Sequence, residues 1–338
     1  MNTKIGILFW ISSLTIMVLL IIIIGGLTRL TDSGLSMVDW RPLMGTIPPL
    51  SSQAWIEIFN TYKLTPQFQI VNTMITLEEF KVIFWWEWFH RFFARLIGVV
   101  FIFPFIYFCW KKKLSKNLLI TMTIIFIFGF FQAIVGWWMV KSGLTDNPYV
   151  SPYRLAFHLA NALIIFSILF WLTLSLFYGK EKKHDRPKFI KHLFNLSLIL
   201  VFITIISGSF MAGTDAGKSF NTFPSMNEQF IPEGYYLSEY GWKNTFENTV
   251  AINFNHRWLA IFTFLFISSI IFYLLAHKKD RYNNFSLVLV LLILFLQICL
   301  GILTLVYEVP LSYASLHQTN AIFLLASILF SYHRLTYK

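Results

Sequence analysis

"WWEWFHRFFARLIGVVF", residues Trp85–Phe101, is apolar enough to enter a membrane yet carries Glu87, His90, Arg91 and Arg95 near its leading end. Ionisable side chains are costly at that depth, so their grouping marks a site as well as a span. The pattern returns in the second half of the chain as "NFNHRWLAIF", residues 253–262. There His256–Arg257 repeats His90–Arg91, but Asn253 stands for Glu87 and Ile261 for Arg95. Three further matches fall in the same order on either side. Thr31, Asp32 and Gly34 answer to Thr214, Asp215 and Gly217; Gln132 and Gly136 to Gln297 and Gly301; His158 and Asn161 to His317 and Asn320. Four matches in one order point to an internal duplication.

Around these motifs run eight apolar stretches, near residues 5–26, 90–110, 118–140, 153–178, 190–212, 251–276, 284–306 and 312–332. Each approaches the roughly 20 residues that a helix needs to cross a bilayer. The expected fold is an all-α membrane protein with eight transmembrane helices. They form two tandem pseudo-symmetric four-helix bundles, residues 1–180 and 181–338, related by an axis along the membrane normal because four spans preserve direction. The first run reads as a retained helix, longer than the apolar core of a signal peptide. No Arg- and Ser-rich segment precedes it, which favours a bacterial origin. Two outer loops, residues 27–89 and 213–250, should fold as caps with interfacial helices such as 77–89, with no extramembrane catalytic domain.

Composition agrees: 57% of the 338 residues are hydrophobic and 13% charged, unlike a soluble domain. The net charge of +11 is distributed by side. Both termini, "KKKLSKN", "GKEKKHDRPKFIKH" and "HKKDR" together hold 16 Lys/Arg against 3 Asp/Glu; the remainder holds 11 against 13. Lys and Arg gather on the cytoplasmic side. The expected location is therefore a bacterial inner membrane, with lipid around the chain and both termini cytoplasmic. The basic surplus is a topology signal and does not indicate nucleic acid. Cys109 and Cys299 fall inside spans, without a C-x-x-C pair, and read as small core residues.

The eight histidines divide into two sets. His184, His192, His277 and His333 lie near inner ends among basic residues and read as solvated or headgroup-facing. His90, His158, His256 and His317 each lie near the outer start of a span, two in each half. Two imidazoles on facing helices of a bundle can clamp a haem iron axially, so the pairing points to bis-histidine haem. Zinc or copper would need three or four ligands at one point. Arg91 and Arg257, beside their histidines, suit haem propionates through charge-assisted pairing. Asp32 and Asp215 read as turn residues, and the Gln/Asn pairs as interhelical glue. Glu87 shares a helix face with His90 at i,i+3; Asn253 holds that place beside His256. The unequal half is expected to carry the reaction, with Glu87 handling protons or charge, and the other half a stationary redox haem.

"GGLTRLTDSGLSMVDWRPLMGTIPP" (residues 25–49), "EWFHR" (87–91), "NFNHRW" (253–258) and "SLHQTNA" (315–321), with eight spans in two repeats, resemble the haem A synthase family over essentially the whole chain. The resemblance implies oxidation of one methyl group of haem O to a formyl group, a four-electron change serving terminal cytochrome oxidases. It implies that His256 and His317 hold haem b, and that His90 and His158 belong to the substrate haem with Glu87 essential beside them. Many bacterial members carry two cysteines in the first outer loop; residues 27–89 have none, as in the subgroup lacking the pair. The implied partners are haem O, the enzyme that makes it and an external electron-transfer protein; a homo-oligomer is left open. The rival reading is a non-catalytic di-haem b electron carrier, which needs the four histidines but no carboxylate.

Overall fold

The computed structural model describes residues 3–39, 44–145, 147–179, 188–276 and 281–337, with side chains at 44 and 281–283 left aside. Among the described residues eleven α-helices follow one another: α1 Thr3–Leu30, α2 Ser52–Tyr62, α3 Pro66–Ile70, α4 Leu77–Trp110, α5 Lys116–Lys141, α6 Pro152–Tyr178, α7 Lys188–Gly213, α8 Asn244–Glu247, α9 Thr249–Ala276, α10 Arg281–Val306 and α11 Leu311–Thr336. Eight of them, all but α2, α3 and α8, are long and apolar enough to span a membrane. The chain is an all-helical, multi-pass membrane protein.

Two compact units divide it, Met1–Phe166 and Ser167–Lys338, so the chain passes from one to the other inside α6 rather than at residue 180. The C-terminal end of α6 explains the difference. Trp171 and Tyr178 pack on His333 of α11, with ring centroids 5.1 and 6.3 Å away, and Ser175 Oγ lies 3.4 Å from His333 Nε2. His333 is fully buried, which corrects its reading as a solvated side chain. Tyr337 closes the same aromatic cage at 4.9 Å. His192 is exposed; His184 and His277 lie outside the described residues, as do residues 180–187 of the basic loop.

In the first unit, α4 packs on α1 and α5. The expected interfacial helix 77–89 is not separate: α4 runs unbroken for 34 residues from a capping box at Thr76 and Glu79. No Gly or Pro interrupts Leu77–Phe89, and at about 1.5 Å per residue the helix is near 51 Å long, well beyond the roughly 30 Å hydrocarbon layer. Its N-terminal surplus carries a cap of short helices. Trp55, Phe59 and Tyr62, at i, i+4 and i+7 of α2, turn one face toward Phe80 and Phe84 of α4, with Met37 completing the cluster. Ser51 and Thr65 cap α2 and α3 through their side chains. The Tyr62 hydroxyl, held between Gln67 and Asn72, has its pKa raised by burial.

In the second unit, α9 packs on α7 and α10, and α11 on α10 and α7. The segment between α7 and α9 is built from short 3₁₀ turns and the one-turn α8, tied by asparagines. Asn244 and Asn248 take the carbonyls of Tyr235 and Gly234 at 2.8 and 2.7 Å, and Asn221 takes that of Leu305 at 2.9 Å. Buried amides need partners, and these side chains supply them.

Candidate functional site

His158, His256 and His317 occupy the seventh, eighth and seventh residues of α6, α9 and α11; His90 comes later in α4 only because that helix starts further out. Every one of the four rings rests on a glycine of another helix of its own unit. A Cβ on Gly25 of α1 would come 2.9 Å from His90 Cε1, and one on Gly136 of α5 would come 3.0 Å from His158 Cε1. In the second unit the distances are 3.2 Å for Gly208 of α7 with His256 and 2.8 Å for Gly301 of α10 with His317. A side chain at any of these places would push on the ring, most at Gly25 and Gly301 and least at Gly208. Gln-x-x-x-Gly was visible in the sequence; the role of Gly25 and Gly208 was not.

Within each unit the two histidines lie close enough for their charges to interact, His90 with His158 and His256 with His317. The rings are half-buried. Nδ1 of His90 and Nδ1 of His158 are sealed from solvent and have no hydrogen-bond partner. A sealed nitrogen without a partner is unfavourable, so no hydrogen bond at Nδ1 fixes the tautomer of either ring in the first unit. Paired imidazoles seated on glycine cradles fit a haem iron in each unit. Among the described residues, no three His, Cys, Asp or Glu side chains converge as a metal cluster.

One amide network braces the second histidine of each pair. Asn161 donates to Gln132 Oε1 (2.6 Å) and the Phe128 carbonyl (3.1 Å); Gln132 Nε2 then faces His158, 3.1 Å from its carbonyl and 3.3 Å from Nε2. Asn320 repeats this with Gln297 Oε1 (2.8 Å) and Ile293 (3.0 Å), and Gln297 Nε2 lies 3.2 Å from His317 Nδ1. These residues do more than glue helices: each Gln sets a donor N–H against the second ring of its pair, which only an unprotonated ring nitrogen can accept.

Glu87 is buried and fully engaged. Oε2 accepts from Ser36 Oγ at 2.6 Å and the Met37 amide at 2.8 Å, and Oε1 accepts from Arg91 Nη2 at 2.5 Å. Arg91 Nη2 also reaches the Met37 carbonyl at 3.1 Å. Asn253 does the matching work with reversed polarity, donating to the Ala216 carbonyl (2.6 Å) and accepting from Arg257 Nε (2.6 Å). Arg257 continues to the carbonyls of Thr222 and Phe220, both at 2.7 Å. Met37 and Phe220 hold equivalent places after the Thr-Asp-x-Gly turns, so each arginine tethers the loop after that turn to its histidine helix. Asp32 and Asp215 take the left-handed backbone, φ 50° and 53°, in those turns and pair with Arg29 and Lys218; short polar side chains tolerate that conformation. The Glu/Asn difference thus has a structural origin, because the first loop presents N–H and O–H donors where the second presents a carbonyl.

Comparison with known proteins adds to this geometry. The sequence profile of a family described as "Cytochrome oxidase assembly protein" matches residues 8–329. A protein of Nitrosospira multiformis named "Heme A synthase" is 42% identical over 331 residues, covering 96% of this chain and 92% of its own length. One of Flavobacterium psychrophilum with the same name is 40% identical over 337 residues, 98% of each chain. One from Wolbachia pipientis, also so named, is 39% identical over 324 residues, 95% of this chain and 90% of its own. With matches of that extent running through both histidine pairs, the chain belongs to the haem A synthase family.

Proposed function

We propose that this protein is a haem A synthase, oxidising one ring methyl group of haem O to a formyl group. In this reading substrate haem lies between His90 and His158, and a resident haem b lies between His256 and His317. The observation that carries it is the doubled arrangement of paired histidines, each seated on a glycine, in a chain of this family. Bound haem supplies the redox chemistry that the side chains lack. The protein's part is to hold and orient. Gln132 and Gln297, aimed by Asn161 and Asn320, keep one ring of each pair in place. Arg91 and Arg257 lock the outer loops and retain N–H groups for propionates, with charge-assisted geometry. Glu87, one helical turn before His90, fixes the 33–37 turn and the Arg91 side chain beside the substrate unit. With both oxygens engaged, it acts on charge beside the substrate through Arg91 rather than as a free base.

The two units form pseudo-symmetric four-helix bundles in this reading, with catalysis in the first and haem b in the second. The charge distribution supports a bacterial cytoplasmic membrane, termini inside and haem sites toward the outer side. Electrons come from or pass to an external partner, and haem O is delivered by the enzyme that makes it. A di-haem carrier would share the histidines, and the Glu87/Asn253 contrast no longer argues against it; the enzyme name borne by full-length relatives favours catalysis. Expression in a bacterium that makes haem O but has no haem A synthase of its own tests the function. Haem A should appear in extracted membranes, and its absence with the protein present in the membrane would refute the reading.

A further inference from the structure

One hydrogen bond separates two otherwise matching histidine seats. Ser207 Oγ in α7 lies 3.3 Å from His256 Nδ1. Ser207 immediately precedes Gly208, the glycine under that ring. In the first unit the residue before Gly25 is Ile24, and His90 Nδ1 is sealed without a partner. A ring that gives Nε2 to iron must carry its proton on Nδ1, and a hydroxyl oxygen can accept that proton's hydrogen bond. Such an acceptor fixes the ring's tautomer and orientation and raises the basicity of the ligating nitrogen. An isoleucine side chain can do neither.

We propose that Ser207 is a positioning residue that makes the His256 seat a retaining one, whereas Ile24 leaves His90 a releasing one. The difference suits the chemistry, since a cofactor must stay through many turnovers and a substrate haem must leave as product. It rests on the proposed histidine ligation and deepens it.

Ser207→Thr and Ser207→Val in the full-length protein have similar shapes and differ in a hydroxyl against a methyl. Haem b transfer to excess apomyoglobin and the midpoint potential of the low-spin haem are measured on both. The Thr variant should match the unaltered protein. The Val variant should lose haem b about 10-fold faster or more, on the scale of lost outer partners at metal-binding histidines, and show a higher potential because a less basic ligand stabilises ferric iron less. Ile24→Thr should slow the transfer of haem from the first unit. Equal rates and potentials for Thr and Val, or an Ile24→Thr variant that releases haem as before, would overturn the proposal. His256→Ala retaining full haem b would remove the ligand assignment itself; His256→Ala lacking haem b with equal Thr and Val variants would remove only the role of Ser207.

Discussion

Gly301→Ala tests the glycine seats with one methyl group. The added Cβ would stand 2.8 Å from His317 Cε1, and ordinary contact begins near 3.4 Å, so the ring must retreat by about 0.6 Å. Overpacking of this kind costs about 1–3 kcal/mol, offset in part by the roughly 1 kcal/mol by which alanine exceeds glycine in a helix. The larger effect falls on the ligand: a displaced ring should weaken haem b binding by about 10–100-fold, the scale for disturbed supports of a metal-binding histidine. Gly129→Ala is the control, since a Cβ there meets nothing within 4 Å. Haem b per protein, the low-spin absorption spectrum and Tm are measured on both variants. Gly301→Ala should be depleted of haem b and spectrally altered, while Gly129→Ala keeps its haem and unfolds no lower than the parent. If Gly301→Ala matches Gly129→Ala in haem content and spectrum, His317 is not seated as described.

Glu87→Gln removes the charge shared by Ser36, Met37 and Arg91; we expect haem b retained and haem A formation down by about 10-fold or more, the scale of one lost hydrogen bond to a charged group, and near-normal haem A would sink the role. Arg257→Lys gives up a planar group that reaches Asn253, Thr222 and Phe220 at once. With bonds to charged groups worth about 1.5–3 kcal/mol each, it should lower Tm and expose residues 214–222 to protease, and an unchanged cleavage pattern would contradict the tether. A reporter fused at Lys113, between α4 and α5, should be cytoplasmic, whereas an outside signal would reverse the topology.

The eight spans were legible because long apolar runs leave a membrane chain few alternatives. The limits of α4 were not. The stretch 77–89 carries Glu78, Glu79 and Lys81 and so looked interfacial, yet nothing in it breaks a helix. His333 was misjudged from its basic neighbours, although three aromatic rings, Trp171, Tyr178 and Tyr337, pack around it in space. The histidine pairs were readable from the duplication, because each copy checks the other. Glu87 against Asn253 was visible too, but its partners are backbone groups of a loop whose path no motif announces. Ser207 escaped notice since serine and isoleucine are equally at home in a membrane helix, and only the ring beside them tells the two apart.

The most direct test of the central claim is the haem extracted from two purified variants, His256→Ala and His90→Ala, identified by mass and quantified per protein. The account predicts that His256→Ala has lost haem b, while His90→Ala retains haem b and carries neither haem O nor haem A. Equal loss of haem b from both variants, or its full retention in His256→Ala, would contradict the division of the two histidine pairs between substrate and cofactor.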